Sequence, residues 1–282
     1  MQEFIVSTLE DENDGDHNAG DLSLREAIAL ANENEGEDSI TFDSSLSGGS
    51  IGLTQSEPTP RGGEFNQDLE ITDSLNIVGL GAQNLTIDGL SRGNGIFEIT
   101  GENTNVNLEG LTIANGSDAR FFFNDAGVGG AIKFSGDNLT VKDSLITNSF
   151  ADIGGAISSS GHVNINGSTI SNNSGPGISD PSGAIDASSL DVTNSTISDN
   201  RDRGILAGTL NITNSTVSDN NTNNTSNGSS GFATEILTKG GTANVTSSIV
   251  TGNSQDQNSG DKFTDLGGEF ISGGNNLIAE SD

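Results

Sequence analysis

Residues 190–200 read LDVTNSTISDN, and the line recurs almost letter for letter at 210–220 as LNITNSTVSDN. Looser copies stand at 106–116 (VNLEGLTIANG), 139–149 (LTVKDSLITNS), 163–173 (VNINGSTISNN) and 243–253 (ANVTSSIVTGN). Their starts lie 33, 24, 27, 20 and 33 residues apart. A constant motif with insertions of varying length marks a solenoid whose coils differ in one loop. Leu190 and Val192 alternate with Asp191, a period-two pattern that turns one face of a strand inward. Asn194-Ser195 interrupts that strand, Ile197 points a second one inward, and Asp199-Asn200 reads as a turn. A third short strand precedes each copy: Gly130-Ala131-Ile132, Gly155-Ala156-Ile157, Gly183-Ala184-Ile185 and Arg203-Gly204-Ile205. Three short strands per coil, stacked in parallel on the next coil, predict an all-β chain. The predicted fold is a single-stranded parallel β-helix of about eight or nine coils, right-handed by the rule for parallel crossovers.

Two other readings of the pattern fail. Apart from one N-terminal segment, no window carries the i, i+3, i+4, i+7 spacing of a helix, and Gly, Asn, Ser and Thr dominate. Disorder fits the net charge of −30 and the 30% hydrophobic content. It does not fit Val, Ile and Leu at coil-periodic positions, which fill the thin interior of a narrow β-helix. At the bend of each copy stand Gly110, Asp143, Gly167, Asn194, Asn214 and, as the exception, Ser247. Gly, Asn and Asp tolerate left-handed backbone, and stacked in register they are expected to form a hydrogen-bonded ladder. Triplets such as Asn194-Ser195-Thr196 and Asn211-Ile212-Thr213 match a glycosylation acceptor but read as by-products of the coil pattern.

Composition narrows the function. Acidic residues outnumber basic ones 40 to 10 and cysteine is absent. With no Lys/Arg cluster, nucleic acid and anionic membrane surfaces are excluded as partners. No apolar run approaches the length of a membrane span. Residues 1–3 lack the basic and apolar regions of a signal peptide. Export is therefore expected by a signal not contained here, by another route, or as part of something larger.

At the N-terminus, residues 3–9 alternate as a first strand with Phe4 and Val6 on one face. Residues 10–21, EDENDGDHNAGD, then gather carboxylates, Asn and Gly as a hard cation requires. Asp11, Asn13, Asp14, Asp16 and Asp21 are the candidate Ca²⁺ ligands. Gly15 breaks the EF-hand register, and a solvated acidic turn is the competing reading. Residues 23–32 form the one convincing helix. Ser23 and Glu26 make a capping box, and Leu24, Ala27, Ile28 and Ala31 make its apolar face. Together with Phe4 and Val6 the helix is expected to cover the open first coil.

The stretch LSLREAI at 22–28 resembles the CSLREA-type N-terminal motif of bacterial secreted and surface β-helix proteins, with Leu22 in place of the Cys. DSITF at 38–42, LNIVGLGAQNLTIDG at 75–89 and IFEI at 96–99 continue the likeness. The following repeats resemble the GGAI…LTLTNSTISGN coils of polymorphic-outer-membrane-protein-like chains, and GGNNLI at 273–278 resembles their closing segment. The resemblance spans nearly the whole chain. It implies the β-helix fold and a secreted or cell-surface setting, and it assigns no chemistry.

One domain is expected over 1–282: a cap over 1–43, coils over 44–260 and a closing segment over 261–282. Residues 44–64 read as an early coil with a projecting loop holding Pro58 and Pro60. Phe121-Phe122-Phe123 sits in an insertion between coils, to be packed back on the wall or exposed as a contact patch. Residues 220–230 are a low-complexity polar loop, and Phe263, Leu266, Phe270 and Ile271 are expected to close the C-terminal end.

Enzymes of this architecture work polysaccharides in a groove along one stacked strand face. If Ile132, Ile157, Ile185 and Ile205 point in, then Lys133, Ser158, Asp186 and Leu206 point out. Lys133 and Asp186, two coils apart, would then lie about 10 Å from each other. Asp180, Asp202 and Arg203, with Asp199 and Arg201, fall on nearby turns. That set, led by Lys133 and Asp186, is the catalytic alternative: a polysaccharide lyase, hydrolase or epimerase. Inverting hydrolysis would want carboxylates about 6.5–9.5 Å apart. Tyr and Trp, on which sugar rings stack, are absent, and the two histidines, His17 and His162, read as solvated surface residues. The preferred expectation is a binding or adhesion module, Ca²⁺-assisted, that takes a polysaccharide or cell-surface ligand. The sequence leaves its oligomeric state open.

Overall fold

The computed structural model describes residues 1–18, 20–58, 64–93, 95–118, 127–175, 183–201, 203–222, 234–255 and 264–279. Their strands form a thirteen-stranded sheet, a nine-stranded sheet and three two-stranded pairs. Every named pairing in the two large sheets is parallel; the pairing of Ser56–Pro58 with Glu64–Asn66 is antiparallel. The chain is an all-β parallel β-helix, and the sequence repeats are its coils. Val106, Leu139, Val163, Leu190, Leu210 and Ala243 stack in one unbroken register. Ile113, Ile146, Ile170, Ile197, Val217 and Val250 do the same in the smaller sheet. Both columns line the interior, where nearly all of these side chains are fully buried. Each such Val, Ile or Leu contributes about 1.5–3 kcal/mol, so a thin apolar column holds a polar chain together.

The three separate strands expected per coil become two sheets. The Ile157 and Val163 segments join in one strand, Ile157–Asn166, and the same fusion gives Gly183–Thr193, Arg203–Thr213 and Thr234–Thr246. The corner between the segments survives as a register shift, between Ser159 and His162 and again between Ala207 and Leu210. Backbones crowd at this corner. A Cβ on Gly241 would stand 1.9 Å from the Gly208 carbonyl oxygen, so only glycine fits there.

All six bend residues, Gly110, Asp143, Gly167, Asn194, Asn214 and Ser247, have φ between 47° and 66°. A second left-handed column, at the other end of the short strand, holds Asn115, Asn148, Asn172, Asp199, Asp219 and Gly252. The ladders are not made by the bend residues themselves, as the sequence suggested, but by their inward-turned neighbours. Ser144, Ser168, Ser195 and Ser215 each donate a backbone N–H to the hydroxyl one coil on, at 3.1–3.2 Å. Asn173, Asn200, Asn220 and Asn253 pass a side-chain amide bond from coil to coil at 2.8–3.1 Å. The reason is geometric. A left-handed residue projects its own side chain outward, and the next residue re-enters the interior, where a polar group must be satisfied.

The cap forms as expected. The helix is Leu24–Glu33 with Ser23 as N-cap and both halves of the capping box in place. Its buried face packs with Phe4 and Val6 in the continuous core. At the far end Leu266 and Phe270 pack against the core. Ile271, expected to close that end, instead points outward in register with Asn244 and is 57% exposed. Phe263 and Phe121-Phe122-Phe123 lie outside the described residues. No described helix is long and apolar enough to cross a membrane.

Candidate functional site

The outward face of the larger sheet was the expected place for a groove. Its register is as read from the sequence: Lys133 pairs with Ser158, Ser158 with Asp186, and Asp186 with Leu206. The side chains do not converge. Lys133 Nζ reaches back to Glu98 at 2.6 Å, and Asp186 is taken by Lys239 at 2.5 Å. Neither Asp186 nor Leu206 is presented to solvent, at 8% and 2% exposure. Arg203 is buried at the head of its strand, opposite Gly183. Asp180 and Asp202 lie outside the described residues. Lys133 and Asp186 are thus held in separate ion pairs, and Arg203 is buried, so the described members of this set share no reaction centre. A further pair, Lys142 and Glu109 at 2.8 Å, holds the Glu109 carboxyl below its ordinary pKa, chiefly through that hydrogen bond.

The acidic loop is organised by the protein's own groups. Asp11, placed among the Ca²⁺ ligands, is buried: it pairs with Arg25 Nε at 2.7 Å and accepts the Thr54 and Gln55 N–H groups at 2.6 and 2.9 Å. Arg25 in turn ties the cap to the carbonyls of Gln67 and Asp68. Asp14 accepts from Asp16 N–H, and Asp16 from Asn18 N–H, so both close small turns. Asn13 is exposed and Asp21 half-buried. The loop's N–H groups at Asp14 and Gly15 donate to Glu26 Oε1. Burial alone would raise the Glu26 pKa, but the Ser23 and Gly15 N–H groups outweigh it and hold the carboxyl below its ordinary value. Glu12 goes the other way, raised by partial desolvation and by Asp21 and Asp14. Among the described residues no three His, Asp or Glu side chains are placed together to hold a metal ion.

A further candidate site lies on the second left-handed column. An open cleft of about 620 Å³ is lined by Asn148, Asn172, Ser174, Asp199, Asn200, Arg201 and Asp219. Asn148, Asn172, Asp199 and Asp219 sit there because their left-handed backbone turns each side chain out of the coil at the same point. Arg201 is anchored through its N–H to the Asn173 carbonyl at 2.8 Å, with an exposed guanidinium. Asp199 and Asp219 are one coil apart, about 4.8 Å along the stack, which is closer than an inverting pair requires. The cleft therefore offers amides and carboxylates at a fixed repeat, with one guanidinium beside them. The sequence placed Asp199 and Arg201 on neighbouring turns but did not show that the DN, NN and NS ends of successive motifs share one wall.

The sequence also passed over a cluster on the larger sheet. His162 Nδ1 lies 2.9 Å from Ser189 Oγ, and its Nε2 lies 3.4 Å from Asp191 Oδ2. Aligning the motif copies one residue further upstream sets His162 beside Ser189, and that signal was available. Comparison with protein-family models, curated proteins and solved structures returns no match. Fold and site together define a polar, acidic β-helix rod with a lateral hydrogen-bonding cleft.

Proposed function

We propose that this β-helix is a binding module of the bacterial exterior that holds a polysaccharide, or another polyhydroxyl cell-surface ligand, in the lateral cleft. The observation that supports this most is the lining itself: Asn148, Asn172, Asp199 and Asp219 repeat by coil along the rod, with Arg201 beside them. Amide and carboxylate groups in such a row match the hydroxyl pairs of successive sugar rings, and the guanidinium adds a bidentate donor. The exterior setting is supported by the LSLREAI stretch and the coil sequences, as a resemblance. Calcium is not part of the proposal, because Asp11 is committed to Arg25.

The test is calorimetric titration against neutral and uronate oligosaccharides chosen from a glycan array. Arg201→Ala and the Asp199→Ala/Asp219→Ala pair should each weaken binding by about tenfold or more, as loss of a charged hydrogen bond predicts. Binding unchanged by both variants would sink the cleft as the site.

A further inference from the structure

Two columns on the outer face of the larger sheet carry amide-to-amide contacts from coil to coil. Asn138 donates to Asn105 at 2.7 Å and Asn244 to Asn211 at 2.8 Å. Between those coils the columns change character. The position after Asn138 is His162, the next is Ser189, and Asp191 stands two residues along the same strand. With its proton on Nε2, His162 accepts from the Ser189 hydroxyl at Nδ1, 2.9 Å away, and its Nε2 stands 3.4 Å from Asp191 Oδ2, a charge contact that one side-chain rotation would shorten to a hydrogen bond. The two ends of the row are fixed as well. The Thr209 hydroxyl donates to Ser189 Oγ at 2.9 Å, and Asn211 Nδ2 donates to Asp191 Oδ1 at 2.6 Å. The Thr209 bond occupies Ser189 as an acceptor, which leaves its own proton for the imidazole. His162 and Asp191 side chains are about a third exposed, so a substrate can reach them.

A hydroxyl hydrogen-bonded to a base, with the base oriented by a third group, is the arrangement that activates a nucleophile. Function in such a set is recognised by geometry and role rather than by position in the chain. We propose that Ser189, His162 and Asp191 form an acyl-transfer site for short acyl esters presented on an open surface. Ser189 Oγ attacks the ester carbonyl carbon while its proton passes to His162 Nδ1. The bond to the alkoxy oxygen then breaks, and the alcohol leaves with the proton from Nδ1. Water adds to the acyl-Ser189 carbonyl, giving its proton to the same nitrogen. The bond to Ser189 Oγ breaks, the proton returns to Oγ, and the free acid departs. Asp191 acts as a positioning residue through the imidazole. The Thr209 hydroxyl, beside the attacking oxygen, is the donor placed to turn toward the developing oxyanion. It is a rotatable hydroxyl rather than a fixed pair of backbone N–H groups, so turnover is slow and the covalent adduct is the proper readout.

The experiment treats the intact chain with a fluorophosphonate and locates the adduct by peptide mass spectrometry. Attack by Ser189 on phosphorus expels fluoride, and His162 takes the proton. The expected result is an adduct on Ser189. Its rate of formation should fall about a hundredfold in His162→Ala, within the range of general-base catalysis. It should fall also in Asp191→Asn and be restored in part in Asp191→Glu. The side chains changed are on the outer face, and unaltered melting of each variant checks that the coil is intact. The proposal is overturned by any of three outcomes. These are no adduct on Ser189 in the unaltered chain, a fall in His162→Ala smaller than about tenfold, or an Asp191→Asn rate equal to the unaltered one. The first outcome needs no variant and so does not depend on how the variants fold.

Discussion

Asn200 Nδ2 donates to Asn220 Oδ1 at 2.8 Å, one full coil away, with both residues at 1% exposure or less. The bond is one rung of a ladder, and it sets what a single substitution costs. Asn200→Ala removes the acceptor of Asn173 N–H and the donor to the Ile170 carbonyl. Each group orphaned in the interior costs about 1–3 kcal/mol. The urea midpoint of Asn200→Ala should drop accordingly, while Asn211→Ala, in an exposed amide pair, should move it by only a few tenths of that. Equal shifts for the two would show that the interior ladder is not a source of stability.

The bond between Arg25 and Asp11 makes a second case. Arg25→Ala leaves the Asp11 carboxylate, 1% exposed at its side chain, without its countercharge. Breaking a buried pair from one side costs about 3–5 kcal/mol. The double variant Asp11→Ala/Arg25→Ala removes both charges and should recover part of that loss. A double-mutant cycle by thermal melting measures the coupling. A double variant no more stable than Arg25→Ala would contradict a charge-based account of the clamp.

Acid should weaken the cap. The Glu26 carboxyl, despite the burial that opposes it, is held below its ordinary pKa by N–H groups of Ser23 and Gly15. A folded-state pKa below the unfolded one stabilises the fold above the unfolded value. That contribution declines as pH falls below the ordinary 4.5 and through the lower folded value. Glu26→Gln should therefore melt lower than the unaltered chain at pH 7, with the difference shrinking as pH falls from about 5 toward 3. A gap independent of pH would assign the loss to packing rather than to charge.

The coils, the cap and the inward columns were legible because each rests on local chemistry. Ser23 and Glu26 cap a helix in any fold, and Ile197 must find an interior. What stayed hidden depends on register between coils. Nothing local to Asp11 shows that Arg25 will meet it after the chain has turned back, so it read as a metal ligand. Lys239 lies 53 residues from Asp186 and still pairs with it, because the stacking of coils sets them two coils apart on one face. Leu206 read as outward by alternation alone, yet it is buried outside the interior cluster. The lateral cleft is likewise a property of successive coils: Asn148, Asn172, Asp199 and Asp219 become a wall when their left-handed turns stack.

Those turns yield the last prediction. Asn194 and Ser247 occupy the same left-handed bend, at φ 52° and 51°, in coils two apart. An L-residue with a Cβ is disfavoured there by roughly 1–2 kcal/mol, with Asn among the residues that tolerate it best. Ser247 is the least suited of the six bend residues, so Ser247→Gly should stabilise the chain, offset in part by the greater freedom of glycine when unfolded. Asn194→Val, which adds β-branching at the same backbone angle, should destabilise it by about 1 kcal/mol or more. Denaturant midpoints of the two variants should move in opposite directions. A shared direction would mean that the bend is governed by its hydrogen bonds and not by the backbone angle.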